Sequence, residues 1–256
     1  MNDKESIWLS VYLLAFFNVI LLGTVLIFRS VYRKRERIKE VEERHASKFL
    51  NRWMREYWIW LTEPVVDLFI FLKLTPNRIT TVGVLISFLS GYFFAVGHLG
   101  LGGWLMIFSA TFDMFDGSVA RKTGQVTASG AYYDSVMDRV SEGAIFAGLA
   151  FLYRDNWGLF AALAALMGSV MVSYSRARGD AAGMIYAGGS MQRPERIVYL
   201  GVGAIFTPII SHFLAIWWPW AIPVNLYLIP LSFVAVATWM TSFHRISHVM
   251  GMLDEK

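Results

Sequence analysis

Five carboxylates stand in stretches that otherwise carry almost no charge: Asp113, Asp116, Asp134, Asp138 and Glu142. Asp113 and Asp116 are three residues apart, which puts them on one face of a helix. Asp134 and Asp138 are four apart and share another face. Two neighbouring antiparallel helices would aim these four carboxylates at one spot. A carboxylate inside a bilayer costs on the order of a few kcal/mol, and four close anions repel one another. The group therefore needs counter-charge, and three readings supply it. A divalent cation, or a pair, would neutralise the cluster, and hard oxygen ligands favour Mg²⁺, Mn²⁺ or Ca²⁺. An ion or proton pathway also uses intramembrane acids. Buried ion pairs would serve if cations lay close, but only Arg121, Lys122 and Arg139 are near in sequence.

Small residues accompany the acids. Gly117 and Ala120 follow Asp116, and Gly130 precedes Asp134 by one turn. They leave room for a flat ligand or for a closely packed helix. Arg121, at the end of the same run, is suited to hold a phosphate.

Spans long enough to cross a membrane must position these groups. The chain has 256 residues, is 56% hydrophobic and only 16% charged, and has a mean hydropathy of +0.48. Ordinary soluble domains carry about 25% charged residues. This composition excludes a soluble domain, a disordered chain and a coiled coil. With no cysteine, disulfides, thiol nucleophiles and zinc–thiolate sites are excluded as well. The reading is an all-α integral membrane protein.

Ile7 to Phe28 has no charge over 22 residues, enough for a transmembrane helix. Positive charge follows this span rather than preceding it, so it reads as an uncleaved anchor with its N-terminus outside. Between Arg29 and Arg55 there are ten basic and four acidic residues, a block that holds its loop in the cytoplasm and attracts anionic lipid headgroups. No soluble basic face suggests nucleic-acid binding. Phe49, Leu50, Trp53, Met54, Tyr57, Trp60 and Leu61 line one helical face, opposite Asn51, Arg52, Arg55 and Glu56. This pattern predicts an interfacial amphipathic helix, interrupted at Pro64. Packing of that helix on another part of the protein is the competing reading.

Six further spans follow, near 78–98, 101–122, 130–153, 157–179, 194–216 and 222–243. They form a six-helix core, to which the N-terminal helix and the interfacial helix are additions. With the basic block inside, the loops near 99, 155 and 219 fall outside and hold only Arg154 and Asp155. Arg78, Arg121, Lys122, Arg176, Arg178, Arg193, Arg196 and Arg245 fall at inside ends. The division is therefore 1–28 anchor, 29–74 basic linker and interfacial helix, 75–250 core and 251–256 cytoplasmic tail.

The acids also belong to a longer pattern. Asp113-x-x-Asp116-Gly117-x-x-Ala120-Arg121, then eight residues, then Gly130-x-x-x-Asp134-x-x-x-Asp138 resembles the full signature of the CDP-alcohol phosphotransferase family. Pro76-Asn77-x-x-Thr80 resembles the family's stretch before its first core span. The resemblance runs from about Thr75 to Met250 and leaves the N-terminal anchor outside the common core. It implies a six-helix homodimeric membrane enzyme that transfers a substituted phosphate from a CDP-linked lipid donor to an alcohol and releases CMP. It implies Mg²⁺ or Mn²⁺, as a pair of ions, on Asp113, Asp116, Asp134 and Asp138, with Asp138 as general base. It implies a CDP site formed by Asp113, Gly117, Ala120, Arg121, Thr80 and Asn77. The enzyme would sit in the cell membrane as a multi-pass protein with its active site facing the cytoplasm, among membrane lipids.

The acceptor is read from a second group of residues. Arg176 and Arg178 end the fourth core span, and Arg193 and Arg196 open the fifth. Four arginines converging across the loop 180–192 would suit a phosphorylated, water-soluble alcohol. Positive-inside anchoring of the loop ends is the alternative. Both stretches resemble those of the inositol-phosphate-using branch of the family, which makes inositol phosphate the expected acceptor. Glycerol phosphate, inositol and serine are rivals. Thr80-Thr81-Val82-Gly83 lacks an arginine that glycerophosphate-transferring relatives often carry there, and serine has no phosphate to read.

Overall fold

In the computed structural model, residues 3–32, 52–186 and 188–255 are described. The part of the basic linker between Tyr32 and Arg52, with Phe49, Leu50 and Asn51 of the expected amphipathic face, lies outside them. The described residues form helices and short connections: α1 (Asp3–Tyr32), α2 (Arg52–Phe71), α3 (Pro76–Ala95), α4 (Leu99–Thr123), α5 (Ala128–Leu152), α6 (Gly158–Ala181), α7 (Arg193–Ile197), a π-helical turn (Val198–Val202), α8 (Gly203–Leu214) and α9 (Pro223–Asp254).

Among the described residues, five stretches are long and apolar enough to cross a membrane: Val11–Ser30, Pro76–Ala95, Gly158–Ala181, Arg193–Leu214 and Pro223–Asp254. Helices α4 and α5 have 25 residues each, which suffices at about 1.5 Å per residue, but they carry the acids. Most of α1's described side chains are exposed, as a lipid-facing helix requires; Phe28 is buried.

Two expectations about helix continuity are corrected. Helix α2 runs through Pro64, although a proline inside a helix costs about 3 kcal/mol. Packing on both sides offsets that cost. Before Pro64, Phe28 of α1 sits among the rings of Trp53, Tyr57 and Trp60, and Tyr57 hydrogen-bonds Thr24 at 2.8 Å. After it, Val66 packs with Phe115 and Val119 of α4, and Phe69 joins them. Helix α2 is thus packed on α1 and α4, and Glu56, placed by its spacing on the polar face, is buried. The second correction concerns the fifth core span, where one helix is expected over 194–216. It contains the π turn, which widens the backbone just after Arg196. There Gly201 lies against Gly103 of α4, where a Cβ on Gly103 would stand 2.6 Å from the Gly201 carbonyl oxygen.

Helix α2 ends with Lys73 in the left-handed region, φ 53°. Leu74 N–H donates to Phe69 O and Lys73 N–H to Ile70 O, which satisfies two end carbonyls. Pro76 then opens α3, where its missing N–H costs nothing. Helices α3 and α5 approach closely where Gly91 meets Ala144 and Gly148; a Cβ on Gly148 would lie 2.0 Å from the Gly91 carbonyl oxygen. Small residues are what permit such contact between membrane helices.

An apolar core fills one end of the bundle, built from Phe94, Leu99, Phe146, Leu149, Leu200, Tyr227 and Leu231 among others. Chain alternation places the start of α3, the end of α4, the start of α5, the end of α6 and the start of α7 together at the other end.

Candidate active site

The hairpin of α4 and α5 builds the acid cluster. Gly124, at φ 69°, ends α4, and Thr127 caps α5 by accepting a hydrogen bond from Gly130 N–H. The acids of both helices therefore lie within a few turns of the connecting loop. One carboxylate oxygen each from Asp113, Asp116 and Asp134 can be chosen so that all three lie within 4.8 Å of one another. Asp116 is buried and accepts a hydrogen bond from the Thr80 hydroxyl of α3. Oδ1 of Asp134 is buried without a hydrogen-bond partner among the described residues.

Asp138 stands beside this trio and is held by a cation. Arg193 Nη1 lies 2.7 Å from Asp138 Oδ1 and 2.9 Å from Asp113 Oδ2. One turn deeper, Arg196 and Glu142 form a second pair, with Arg196 Nε donating to Glu142 Oε1 at 3.1 Å and Nη2 donating to the same oxygen. Arg196 Nη1 donates to Met191 O at 3.1 Å. Arg139 Nη1 is 4.0 Å from Asp138 and 3.9 Å from Glu142. Two acids at i, i+4 on α5 thus face two arginines at i, i+3 on α7. A cavity of about 20 Å³ is lined by Ser141, Glu142, Arg193 and Arg196 together with Ser87 and Ser109, with room for one water.

The charges test whether a metal fits. Asp113, Asp116, Asp134, Asp138 and Glu142 face Arg139, Arg193 and Arg196, leaving a formal excess of two negative charges. A divalent cation offsets that excess. Asp134 offers an unpartnered oxygen, and the cluster is all carboxylate, the donor set that Mg²⁺ and Mn²⁺ prefer.

The remaining expected residues are placed as follows. Asn77 is exposed at the start of α3, and a Cβ on Gly130 would lie 3.8 Å from its Oδ1. A Cβ on Gly117 would meet only the Arg121 guanidinium, at 3.2 Å. Ala120 is half-buried and Arg121 is exposed, donating to Ser118 at 3.3 Å. These groups border open space beside the trio. Arg176 and Arg178 are exposed, and Arg176 lies 3.9 Å from Asp180.

The four arginines are not arranged as one cluster. Arg196 is 2% exposed, and Glu142 and a carbonyl occupy its guanidinium. Arg193 faces the aspartates. Spacing alone does not separate these roles, because residues three apart share a helix face and only depth distinguishes them.

Sequence reasoning missed two further contacts. Lys122 bonds Asp67 at 2.9 Å and Glu63 at 3.4 Å, tying α2 to the end of α4. The Arg245 guanidinium is buried and donates to Gly188 O and Val172 O, holding the loop before Arg193. The i, i+4 spacing of Glu63 and Asp67 was the available signal for the first contact; nothing local marks the second.

Comparison with known proteins bears on the same site. The family model for CDP-alcohol phosphatidyltransferases matches residues 73–239. The phosphatidylinositol phosphate synthase of Mycobacteroides abscessus is 33% identical over 205 residues, 78% of this chain and 90% of that protein. The crystal structure of the Mycobacterium tuberculosis phosphatidylinositol phosphate synthase with CDP-DAG bound superposes with a TM-score of 0.63 at 33% identity, covering 73% of this chain and 92% of that one. The same enzyme in complex with manganese and citrate gives a TM-score of 0.64 at 32% identity, over 74% and 88% of the two chains. An acid cluster suited to a divalent metal, carried by this fold and this family match, shows that the chain belongs to the CDP-alcohol phosphatidyltransferase family.

Proposed function

We propose that this transferase moves the phosphatidyl group of CDP-diacylglycerol to the hydroxyl of inositol phosphate and releases CMP. The observation that carries the reading is Arg193, a cation held against both Asp113 and Asp138, in a chain similar over most of its length to phosphatidylinositol phosphate synthases.

Asp113, Asp116 and Asp134 would hold Mg²⁺ or Mn²⁺, with Asp138 alongside. Held there, such a metal would neutralise the diphosphate and stabilise charge on the CMP leaving group. Thr80 orients Asp116 through its hydroxyl. Gly117 and Ala120 leave space for the nucleotide, and Arg121 and Asn77 offer polar contacts at its edge. Asp138 takes the proton of the acceptor hydroxyl as attack proceeds. Arg193 receives the acceptor phosphate, with Arg176 and Arg178 at the rim. Arg196 supports this layer from below rather than touching the acceptor.

The site lies at the cytoplasmic end of the bundle and α1 begins outside, a reading supported by the basic residues gathered at that end. The aromatic residues Trp217, Trp218 and Trp220, exposed at the other end, suit the outer interface. A homodimer is the expected assembly, and light scattering on the detergent-purified protein measures it. Because the chain has no cysteine, a single cysteine placed at Trp218 should react with an impermeant maleimide on intact cells, and one placed at Thr123 only after the cells are broken open.

The deciding experiment is an acceptor panel. Purified protein, CDP-diacylglycerol and Mn²⁺ are offered inositol phosphate, inositol, glycerol phosphate or serine, and CMP is measured. Inositol phosphate should support release. If it is inert while another alcohol works, the acceptor assignment is wrong.

A further inference from the structure

We infer that Arg193 is a lock on the reaction, closed by Asp113 and Asp138 and opened by the anionic group of the acceptor. The inference deepens the proposed function and rests on its assignment of Asp138 as base and of a phosphorylated acceptor.

A single nitrogen, Nη1 of Arg193, serves both carboxylates. While it does, Asp138 Oδ1 is occupied and not free to receive a hydroxyl proton. Asp113 Oδ2 likewise faces the guanidinium. The other cations near these acids are committed or more distant: Arg196 is bound to Glu142, and Arg139 reaches Asp138 only at 4.0 Å. Among the described residues, Arg193 alone therefore bridges the two groups that the reaction needs free.

The guanidinium also has unused capacity. It carries five N–H donors, and its Nε is buried without a hydrogen-bond partner among the described residues. Its side chain is 18% exposed, so an entering ligand can reach it. A phosphate offers several oxygens to this fork and suits it better than two carboxylates from different helices. Entry of a divalent cation and of a phosphate dianion leaves the formal charge of the site unchanged. The carboxylates would then hold the cation and Arg193 the phosphate.

The lock would protect the donor when no acceptor is present. Unwanted hydrolysis requires water oxygen to bond to the phosphatidyl phosphorus, the P–O bond to CMP to break, and a water proton to pass to Asp138. Phosphatidic acid and CMP would be the products. With Oδ1 held by Arg193, one of the two Asp138 oxygens is closed to that proton.

The test is a Mn²⁺ titration of the full-length, detergent-purified protein, read by electron paramagnetic resonance. Sulfate serves as the anion probe, against chloride at matched ionic strength. In chloride, Arg193→Met should bind Mn²⁺ about tenfold more tightly than the wild type, whereas Arg193→Lys should stay near it. Sulfate should tighten Mn²⁺ binding several-fold in the wild type and leave Arg193→Met unchanged. Equal affinities in wild type and Arg193→Met, or no response of the wild type to sulfate, would overturn the lock. If Arg193→Met does not give a monodisperse protein, the wild-type response to sulfate decides alone. CMP release from CDP-diacylglycerol without acceptor should also rise several-fold in absolute rate in Arg193→Met over the wild type, and an unchanged or lower rate would count against the lock. The titration uses no substrate and judges the lock. Failure of the wild type to release CMP with any acceptor would instead defeat the transfer reading.

Discussion

The two ends of the same bundle are buried by different means. At one end Phe94, Leu149, Tyr227 and Leu231 are fully buried, and their polar atoms are satisfied: Tyr153 donates to Val224 O at 2.6 Å and Tyr227 to Leu200 O at 3.1 Å. At the other end the same helices bury acids and arginines. Of the seven buried side-chain atoms without a hydrogen-bond partner among the described residues, five belong to Asp134, Arg139, Glu142, Arg193 and Glu195. A fold leaves such groups incomplete at a cost of about 1–3 kcal/mol each. Their concentration at one end marks where ligands complete the structure, while the apolar end supplies the stability that allows it.

The strongest way to break this comparison is to alter the acids without disturbing the core. Asp138→Asn should lower CMP release by about 10²–10⁴-fold, and Asp134→Asn about as much, while both proteins remain folded by thermal denaturation in detergent. A variant that lost its fold instead would make the acid end structural. At the apolar end, Leu149→Ala should destabilise by about 2–5 kcal/mol with turnover per folded molecule retained.

The Glu142–Arg196 layer should behave like the core in stability and like the site in consequence. Glu142→Gln leaves a buried arginine uncompensated and should cost about 3–5 kcal/mol, seen as a lower melting temperature. Replacing both partners, Glu142→Gln with Arg196→Met, should recover much of that loss. If the double variant is no better than the single one, Arg196 has a role besides pairing. The smallest effect belongs to the surface: Lys122→Met removes half-exposed bridges and should shift stability by about 1 kcal/mol or less.

What the sequence revealed followed what is local. The acids at i, i+3 and i, i+4 and the apolar spans follow from short-range periodicity. Pro64 was misread because the proline rule is local, whereas Phe28 and Phe115 stabilise the two halves of α2 from elsewhere in the chain. Arg196 was grouped with Arg193 because both open the fifth core span beside the loop 180–192. Only their depth in the bundle, set by packing against Glu142, separates them. The Lys122 bridges join residues more than fifty positions apart, beyond the reach of any helical period.

The most direct test of the account is product analysis with and without metal. Wild-type protein is given CDP-diacylglycerol and inositol phosphate in Mn²⁺ or in excess EDTA, and lipid and CMP are quantified together by mass spectrometry. The expected result is a phosphatidyl lipid carrying inositol phosphate, formed one-for-one with CMP and lost in EDTA and in Asp134→Asn. CMP formed without that lipid, or turnover indifferent to Asp134→Asn, would contradict it.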